Sequence, residues 1–477
     1  MGDLEKNGFG LLLSEVERES LWKALASRVE AYVGNVASLR VPAQGTREQI
    51  RQKLAAFTFE KSVDAAAIVD WVSDQLTEHQ LHTAHPSYYG VFNPNPASVG
   101  IAAEALTAAF NPQLASSASS LFCIEVEEHL LRFFSTHFGL PLQKTEGCFT
   151  SGGTEANHTA LLCALTKHIP DFATQGVGAK PVLYATRETH HSILRVARLC
   201  GLGTHAVVEL PTTASLQFDV EALETRIQKD RKSGKQPLFL VGTLGSTSAG
   251  VVDPLQKLAE IAREYGLWFH VDAAWGGAAC LLPELQELVR GVGEADSVTL
   301  DPHKWLSMPM GIGMFLTRHP GLLRQTFGIE QSFYMPSHTH ENEQVEPYRQ
   351  SMPWSRRFNG LKLFMALATH GLGKYQSVLR HQISIGEYLR TSLSSHCWTV
   401  VNETPLPVVC FVDDSRPGLD LEDFAAKVAA TGKAWITTTV LTHLDRKVLR
   451  AGIPNFLTQK THIDALVALL SDIRAKT

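Results

Sequence analysis

Asp301-Pro302-His303-Lys304-Trp305 follows directly on the apolar run Ser297-Val298-Thr299-Leu300, and His270-Val271-Asp272-Ala273-Ala274 closes an earlier run that opens at Trp268. Two short apolar runs, each delivering an ionisable residue at its end, read as neighbouring strands of a buried sheet. Ligands of open α/β sheets collect at such carboxyl ends. Working outward, from about residue 145 to about residue 320 short apolar runs alternate with helical periods, the pattern of parallel strands joined by crossover helices. The runs fall at 147–150, 181–185, 238–243, 268–272, 297–300 and 313–316. Between two of them a helix is well marked: Asp253 can cap it, Pro254 suits its first turn, and Gln256 lies three residues after the cap. Leu255, Leu258, Ile261, Ala262 and Tyr265 share its apolar face, and Gly266 can end it.

The strand ends carry groups matched to one cofactor. Asp272 is costly to bury without a partner, and a pyridinium N–H would satisfy it while staying protonated beside it. Lys304 can form a Schiff base with an aldehyde. Thr150-Ser151-Gly152-Gly153-Thr154 is a glycine-rich turn whose backbone can approach a phosphate, with Thr154 as a cap for the helix that begins around Glu155 to Asn157. Ring nitrogen, aldehyde and phosphate together describe pyridoxal 5'-phosphate. Ala273 and Ala274 are small enough for a flat ring to lie against the strand end, and His190 or His191, after the 181–185 run, can stack on that ring and shuttle a proton.

The rest of the chain sets bounds. A formal charge of -5 leaves no basic surplus for nucleic acid. No apolar run approaches the roughly 20 residues that span a bilayer. The start, MGDLEKNGFG, is mixed and acidic, so no secretory signal is expected. Seven cysteines are scattered without a CxxC pair, which argues against a structural zinc site or a disulfide framework and fits a reducing cytoplasm. Residues 12–80 read as amphipathic helices, including 15–33 and 63–79, and form an arm rather than a core of their own. After residue 375 come a helix to 393, strand-like runs at 398–401, 408–412 and 434–439, and a final helix near 461–473. The expected division is a helical arm over 1–84 that also serves dimerisation, a large cofactor-binding domain over 85–372, and a small C-terminal α/β domain over 373–477.

TSGGTEAN, THHS, HVDAAWGG and DPHKW, in this order, resemble the group II pyridoxal-phosphate-dependent amino-acid decarboxylases, which include aromatic L-amino-acid and glutamate decarboxylases. HPSYYGVFNPNP, IEVEEHLL, SRRFNGLKLF and LRAGIPNFLT extend the likeness over roughly residues 80 to 475. The resemblance implies the fold-type-I transferase architecture: a mostly parallel central sheet flanked by helices, with a smaller C-terminal domain. Carried over by position, it makes Lys304 the Schiff-base lysine and Asp272 the partner of the pyridine nitrogen. His190, followed two residues later by Ser192, becomes the stacking histidine, and Ala274 touches the opposite ring face. Gly153, Thr154 and His303 contact the phosphate, and Thr247 lies beside the cofactor. Asp301 stands where some members carry asparagine, and a carboxylate there would repel the dianion. The family's sites are built at dimer interfaces, so a homodimer is implied, with the arm exchanged between subunits.

The reaction implied is α-decarboxylation of an L-amino acid, with an aromatic or related side chain favoured. A loop tyrosine protonates the carbon that lost carbon dioxide; in the polar 331–356 segment the candidates are Tyr348, nearly in register, and Tyr334, which reads as a structural aromatic. Loss of that tyrosine or of the histidine diverts family members to an aldehyde, ammonia and peroxide, and a silent cofactor-fold binding protein is a third alternative. The segment 113–120 carries Ala115 and Ser117 where rings might stand, while Tyr88, Tyr89 and Phe92 are candidate pocket walls.

Overall fold

The structure is a computed structural model that describes residues 10–178, 180–329, 345–443 and 445–476. Its centre is a seven-stranded sheet of β1 (Glu146–Thr150), β2 (Pro181–Thr186), β3 (Val207–Leu210), β4 (Gln236–Thr243), β5 (Trp268–Asp272), β6 (Ser297–Leu300) and β7 (Gly313–Thr317). The spatial order is β1-β7-β6-β5-β4-β2-β3. Pairs β2·β3, β2·β4, β4·β5 and β5·β6 are parallel, and β7 runs antiparallel to both β1 and β6. No helix fills the 301–312 connection, so the chain turns back beside β6 instead of crossing over the sheet. The edge strand β3 is the one that the apolar pattern does not announce; it is four residues long with Glu209 exposed.

Both faces of the sheet are covered. Phe239, Val241 and Trp268 point into one core and Leu240, Phe269 and Val271 into the other, the alternation a two-sided strand requires. The marked helix is Leu255–Tyr265, with Leu255, Leu258, Ile261 and Ala262 buried and Gly266 left-handed at its end. Asp253 does not cap it. Its carboxylate accepts from the amides of Phe218 and Thr243 instead, clamping two connections, and Pro254 occupies the cap position without a side-chain bond.

The arm consists of Glu15–Asn35, Arg47–Leu54 and Ala65–His79; none of these helices buries a residue within the chain. Ser14 and Glu17 form a capping box on the first, and Arg28 ties it to Asp70 and Asp74 of the third. The helix expected to begin at 375 is the second half of Gly360–Ser395, which kinks at Gly371. A four-stranded antiparallel sheet follows, ordered β10-β11-β9-β8, from β8 (Thr399–Val400), β9 (Val408–Val412), β10 (Thr437–Leu441) and β11 (Arg446–Gly452). The 434–439 run thus enters the sheet a little later than its apolar start. Leu421–Ala430 and Lys460–Lys476 complete this C-terminal layer. Among the described residues no helix is long and apolar enough to cross a membrane.

Candidate active site

The carboxyl ends of β4, β5 and β6 open on a cavity of about 410 Å³. Small-molecule sites usually fall between roughly 300 and 1,000 Å³. Eight of the nine residues singled out in the sequence line it: Gly153, Thr154, His190, Thr247, Asp272, Ala274, His303 and Lys304. Lys304 sits in the turn after β6, partly open, with Nζ 2.9 Å from Asp301 Oδ2. That carboxylate is buried, lies 3.7 Å from His303 Nε2, and its Oδ1 has no hydrogen-bond partner among the described residues. His303 Nδ1 is 2.6 Å from the Ile312 carbonyl and donates to it.

β1 runs straight into the helix Gly153–His168. The cap position is Gly152, without a side-chain bond, and Thr154 lies inside the first turn rather than capping it, contrary to the sequence expectation. Amides at the start of this helix have no intrahelical acceptors and form an anion cradle. A Cβ at Gly153 would come within 2.9 Å of Asp301 Oδ2 and 3.2 Å of the Ala274 Cβ, so the close approach of these segments requires glycine.

Asp272 ends β5 with Oδ1 accepting from the Ala274 amide at 3.1 Å and Oδ2 from Asn157 Nδ2 at 2.9 Å. Burial pushes its carboxyl up, but Lys304, His270 and His190 and the Asn157 bond outweigh that and hold it below the usual carboxylate range. Asn157 also donates to Ser192 Oγ, which lies 2.9 Å from His190 Nδ1. Neither Asn157 nor its wider network was evident from the sequence. The signal present was TSGGTEAN itself, where an asparagine in the helix after a phosphate turn faces the sheet.

A second missed residue is Arg450, in LRAGIPN on β11. It is buried, with Nε donating to the carbonyls of Thr247 and Ser248 and Nη1 to that of Gly90. Its guanidinium lies 4.8 Å from the Phe92 ring centroid, and Nη2 has no hydrogen-bond partner among the described residues. Burial lowers its pKa. Thr243 Oγ1, on a residue lining the cavity, is likewise unpartnered.

Tyr348, the ninth residue, does not line the cavity. It lies in the short helix Pro347–Gln350, its amide bonded to the Ala115 carbonyl and its ring beside Trp354. Tyr334 lies outside the described residues. Of the expected walls, Tyr88 stacks on Trp435, Tyr89 bonds through its hydroxyl to the His462 carbonyl, and Phe92 stacks on Trp275. From that segment it is Asn93 that reaches the cavity.

The groups present suit pyridoxal 5'-phosphate. One end offers an acceptor-only carboxylate for a pyridinium nitrogen, the other a backbone cradle that a side chain at Gly153 would fill, and Lys304 lies within the same cavity. Asp301 and Glu155, both on the cavity lining beside this turn, are carboxylates that oppose a dianion. Comparison with known proteins agrees. Tryptophan decarboxylase 2 of Oryza sativa subsp. japonica is 29% identical over 86% of this chain and 85% of its own length. 4-Hydroxyphenylacetaldehyde synthase of Rhodiola rosea is 27% identical over 85% of this chain and 84% of its own. The crystal structure of Oryza sativa TDC with PLP and tryptamine superposes with a TM-score of 0.92 at 23% identity, covering 98% of this chain and 99% of that one, and shares the fold. Residues 48–413 match the pyridoxal-dependent decarboxylase conserved domain. With cavity, fold and family model in agreement, the chain belongs to the pyridoxal-dependent decarboxylases, carboxy-lyases that act on amino acids with pyridoxal 5'-phosphate as cofactor.

Proposed function

We propose that this enzyme removes the α-carboxylate of an aromatic L-amino acid, giving the amine and carbon dioxide. The observation that carries this reading is the convergence of Lys304, Asp272 and His190 on one cavity. Pyridoxal phosphate, when bound, supplies an aldehyde for the substrate amine and a protonated ring that accepts the electron pair left by carbon dioxide. Lys304 Nζ would hold the cofactor through its aldehyde and serve again in release of the product amine. Asp272 would hold the proton on the ring nitrogen. Gly153 and Thr154, with His303, would bind the phosphate. Ala274 and His190 would contact the ring, with Thr247 beside it. Tyr348 delivers a proton to the former α-carbon, a step worth about 10²–10⁴-fold when an acid is positioned for it.

Because Tyr348 lies outside the cavity of its own chain, the reading includes a homodimer in which sites are completed across the interface. The arm helices, which bury nothing of their own, and the exposed Phe110, Leu121 and Phe122 support such an interface. The proposed division keeps the arm at 1–84, the cofactor domain at 85–372 and the small domain at 373–477. The seven unpaired cysteines fit a cytoplasmic protein.

The aldehyde-forming alternative retains support from the Rhodiola rosea relative's name and from the position of Tyr348. A screen of the L-amino acids for carbon dioxide release, with amine, aldehyde, ammonia and peroxide quantified, tests all of this. Amine in step with carbon dioxide from an aromatic substrate is expected. Aldehyde and peroxide in its place would establish the alternative. Release only from non-aromatic substrates would overturn the substrate class, and no release from reconstituted protein would favour a silent binding protein.

A further inference from the structure

Behind the cavity floor runs a chain of buried hydrogen bonds whose two ends are chemically one-sided. At one end is the Trp268 indole, which can only donate, and at the other the Asp272 carboxylate, which can only accept. Trp268 Nε1 donates to Ser297 Oγ at 2.9 Å, so the Ser297 proton is free for His270 Nδ1 at 2.8 Å. His270 Nε2 lies 3.0 Å from Asn157 Oδ1, which also accepts from Thr299 Oγ1 at 2.8 Å; an amide oxygen cannot donate, so the His270 hydrogen is on Nε2. Complete burial lowers the His270 pKa to about 4 and keeps the ring neutral, as this arrangement requires.

The other end gives the same answer independently. The Asn157 atom 2.9 Å from Asp272 Oδ2 must be the amide nitrogen, because the carboxylate offers no hydrogen. The second amide hydrogen then goes to Ser192 Oγ at 2.9 Å. Having accepted that bond, Ser192 gives its own proton to His190 Nδ1 at 2.9 Å, and the Ser192 backbone amide points at the same nitrogen from 3.2 Å. Two donors aimed at Nδ1 leave no place for a hydrogen there.

We propose that Ser192 and Asn157 are positioning residues that fix His190 as the neutral Nε2–H tautomer, so that it presents a hydrogen-bond donor to the cavity. The inference rests on the reading of His190 and Asp272 as parts of the site. It refines the histidine's part in the reaction. An imidazolium would place a proton on Nδ1 against the Ser192 amide, so His190 orients an acceptor, a carboxylate or phenol oxygen, and takes up no proton itself. Asn157 binds Asp272 and Ser192 with one amide group, so the carboxylate and the histidine are set by the same side chain.

Protein labelled with ¹⁵N-histidine reports this directly, both without and with pyridoxal phosphate, because the two ring-nitrogen shifts distinguish the tautomers; His190→Gln assigns the signal. The wild type should show the neutral Nε2–H pattern across about pH 6–8. Ser192→Ala removes the closer of the two donors and leaves only the amide at 3.2 Å, so it should admit some Nδ1–H form and raise the His190 titration midpoint by about one unit, the usual size of environmental shifts. Ser192→Thr, which restores a hydroxyl, should return the wild-type pattern, and unchanged signals from the other histidines would exclude general unfolding. A wild-type Nδ1–H tautomer, or a Ser192→Ala midpoint and tautomer equal to wild type, would overturn the proposal. Since the tautomer is read without substrate, failure here is separable from failure of the decarboxylase reading, which shows as no borohydride-fixed cofactor on Lys304.

Discussion

At the cavity floor, Asn157 and Asp272 meet at 2.9 Å although 115 residues separate them in the chain. At the short helix Pro347–Gln350, Tyr348 and Ala115 meet through backbone at 3.1 Å, yet neither lines that cavity. The floor is made of strand ends from one sheet, with side chains that leave one another little freedom. The second region is this short helix with the turns after it, bonded to the 113–117 segment. Ser117 bonds to Glu346, Gln113 to Ser355, and Arg356 is paired with the buried Glu127. Under the proposed function, the residues read as holding the cofactor thus line one cavity of a single chain, while Tyr348, read as the proton donor, is packed against the 113–117 segment outside it.

The largest effect expected from this contrast comes from dividing the two regions between subunits. Lys304→Ala and Tyr348→Phe should each lose amine formation, the first to background and the second by about 10²–10⁴-fold, the usual value of a positioned acid. Co-expressed, the two variants should regain activity, because a mixed dimer then contains one site with an intact Lys304 and an intact Tyr348 from opposite chains. If the tyrosine served its own chain's cavity, both sites of the mixed dimer would stay defective and no activity would return. Amine assays on affinity-separated mixed dimers decide between these outcomes.

A smaller change tests the floor alone. Asp272→Asn keeps the shape and the Asn157 contact but removes the charge that holds a protonated ring. Hydrogen bonds to charged groups are worth about 1.5–3 kcal/mol, so pyridoxal phosphate should bind roughly 10- to 100-fold more weakly. Equilibrium dialysis of the cofactor measures it. Retention at wild-type affinity would remove Asp272 from its proposed role.

The strand ends of the floor were legible in the sequence and the contacts of the Pro347–Gln350 helix were not, for a physical reason. Strands buried on both faces are mostly apolar, so an ionisable residue at or soon after their ends stands out even though His270, Ser297 and Thr299 are buried within them: β5 and β6 fall within the residues expected, Asp272 ends β5, and Lys304 lies in the turn after β6. β7 was expected as a strand, but its antiparallel direction was hidden because its apolar pattern is that of any buried strand and direction leaves no mark on composition. Asn157 was hidden because its value lies in partners far along the chain. Tyr88 and Tyr89 do not line the cavity: aromatic residues suit a pocket wall and a packing seam equally, and here they pack against Trp435 and bond to His462 of the C-terminal layer. Capping at Asp253 failed for a similar reason: two distant amides compete for its carboxylate and win.

The two regions should also answer acid in opposite directions. In the floor, burial lowers His270 to about 4 from an ordinary 6.5, so the folded protein binds fewer protons than the unfolded chain between those values, and stability falls as pH falls through them. Beside the Pro347–Gln350 helix, burial, reinforced by Glu125 and Glu127, raises Glu128 to about 7 from 4.5. There the folded protein binds more protons, and stability falls as pH rises through the window. Each pH unit inside either window is worth at most about 1.4 kcal/mol. Denaturant titrations of wild type, His270→Gln and Glu128→Gln between about pH 5 and 7 read the two slopes. Relative to wild type, His270→Gln should gain as pH falls and Glu128→Gln should gain as pH rises. Parallel curves for all three proteins would mean that neither group's protonation is tied to folding, and the electrostatic contrast between the two regions would be lost.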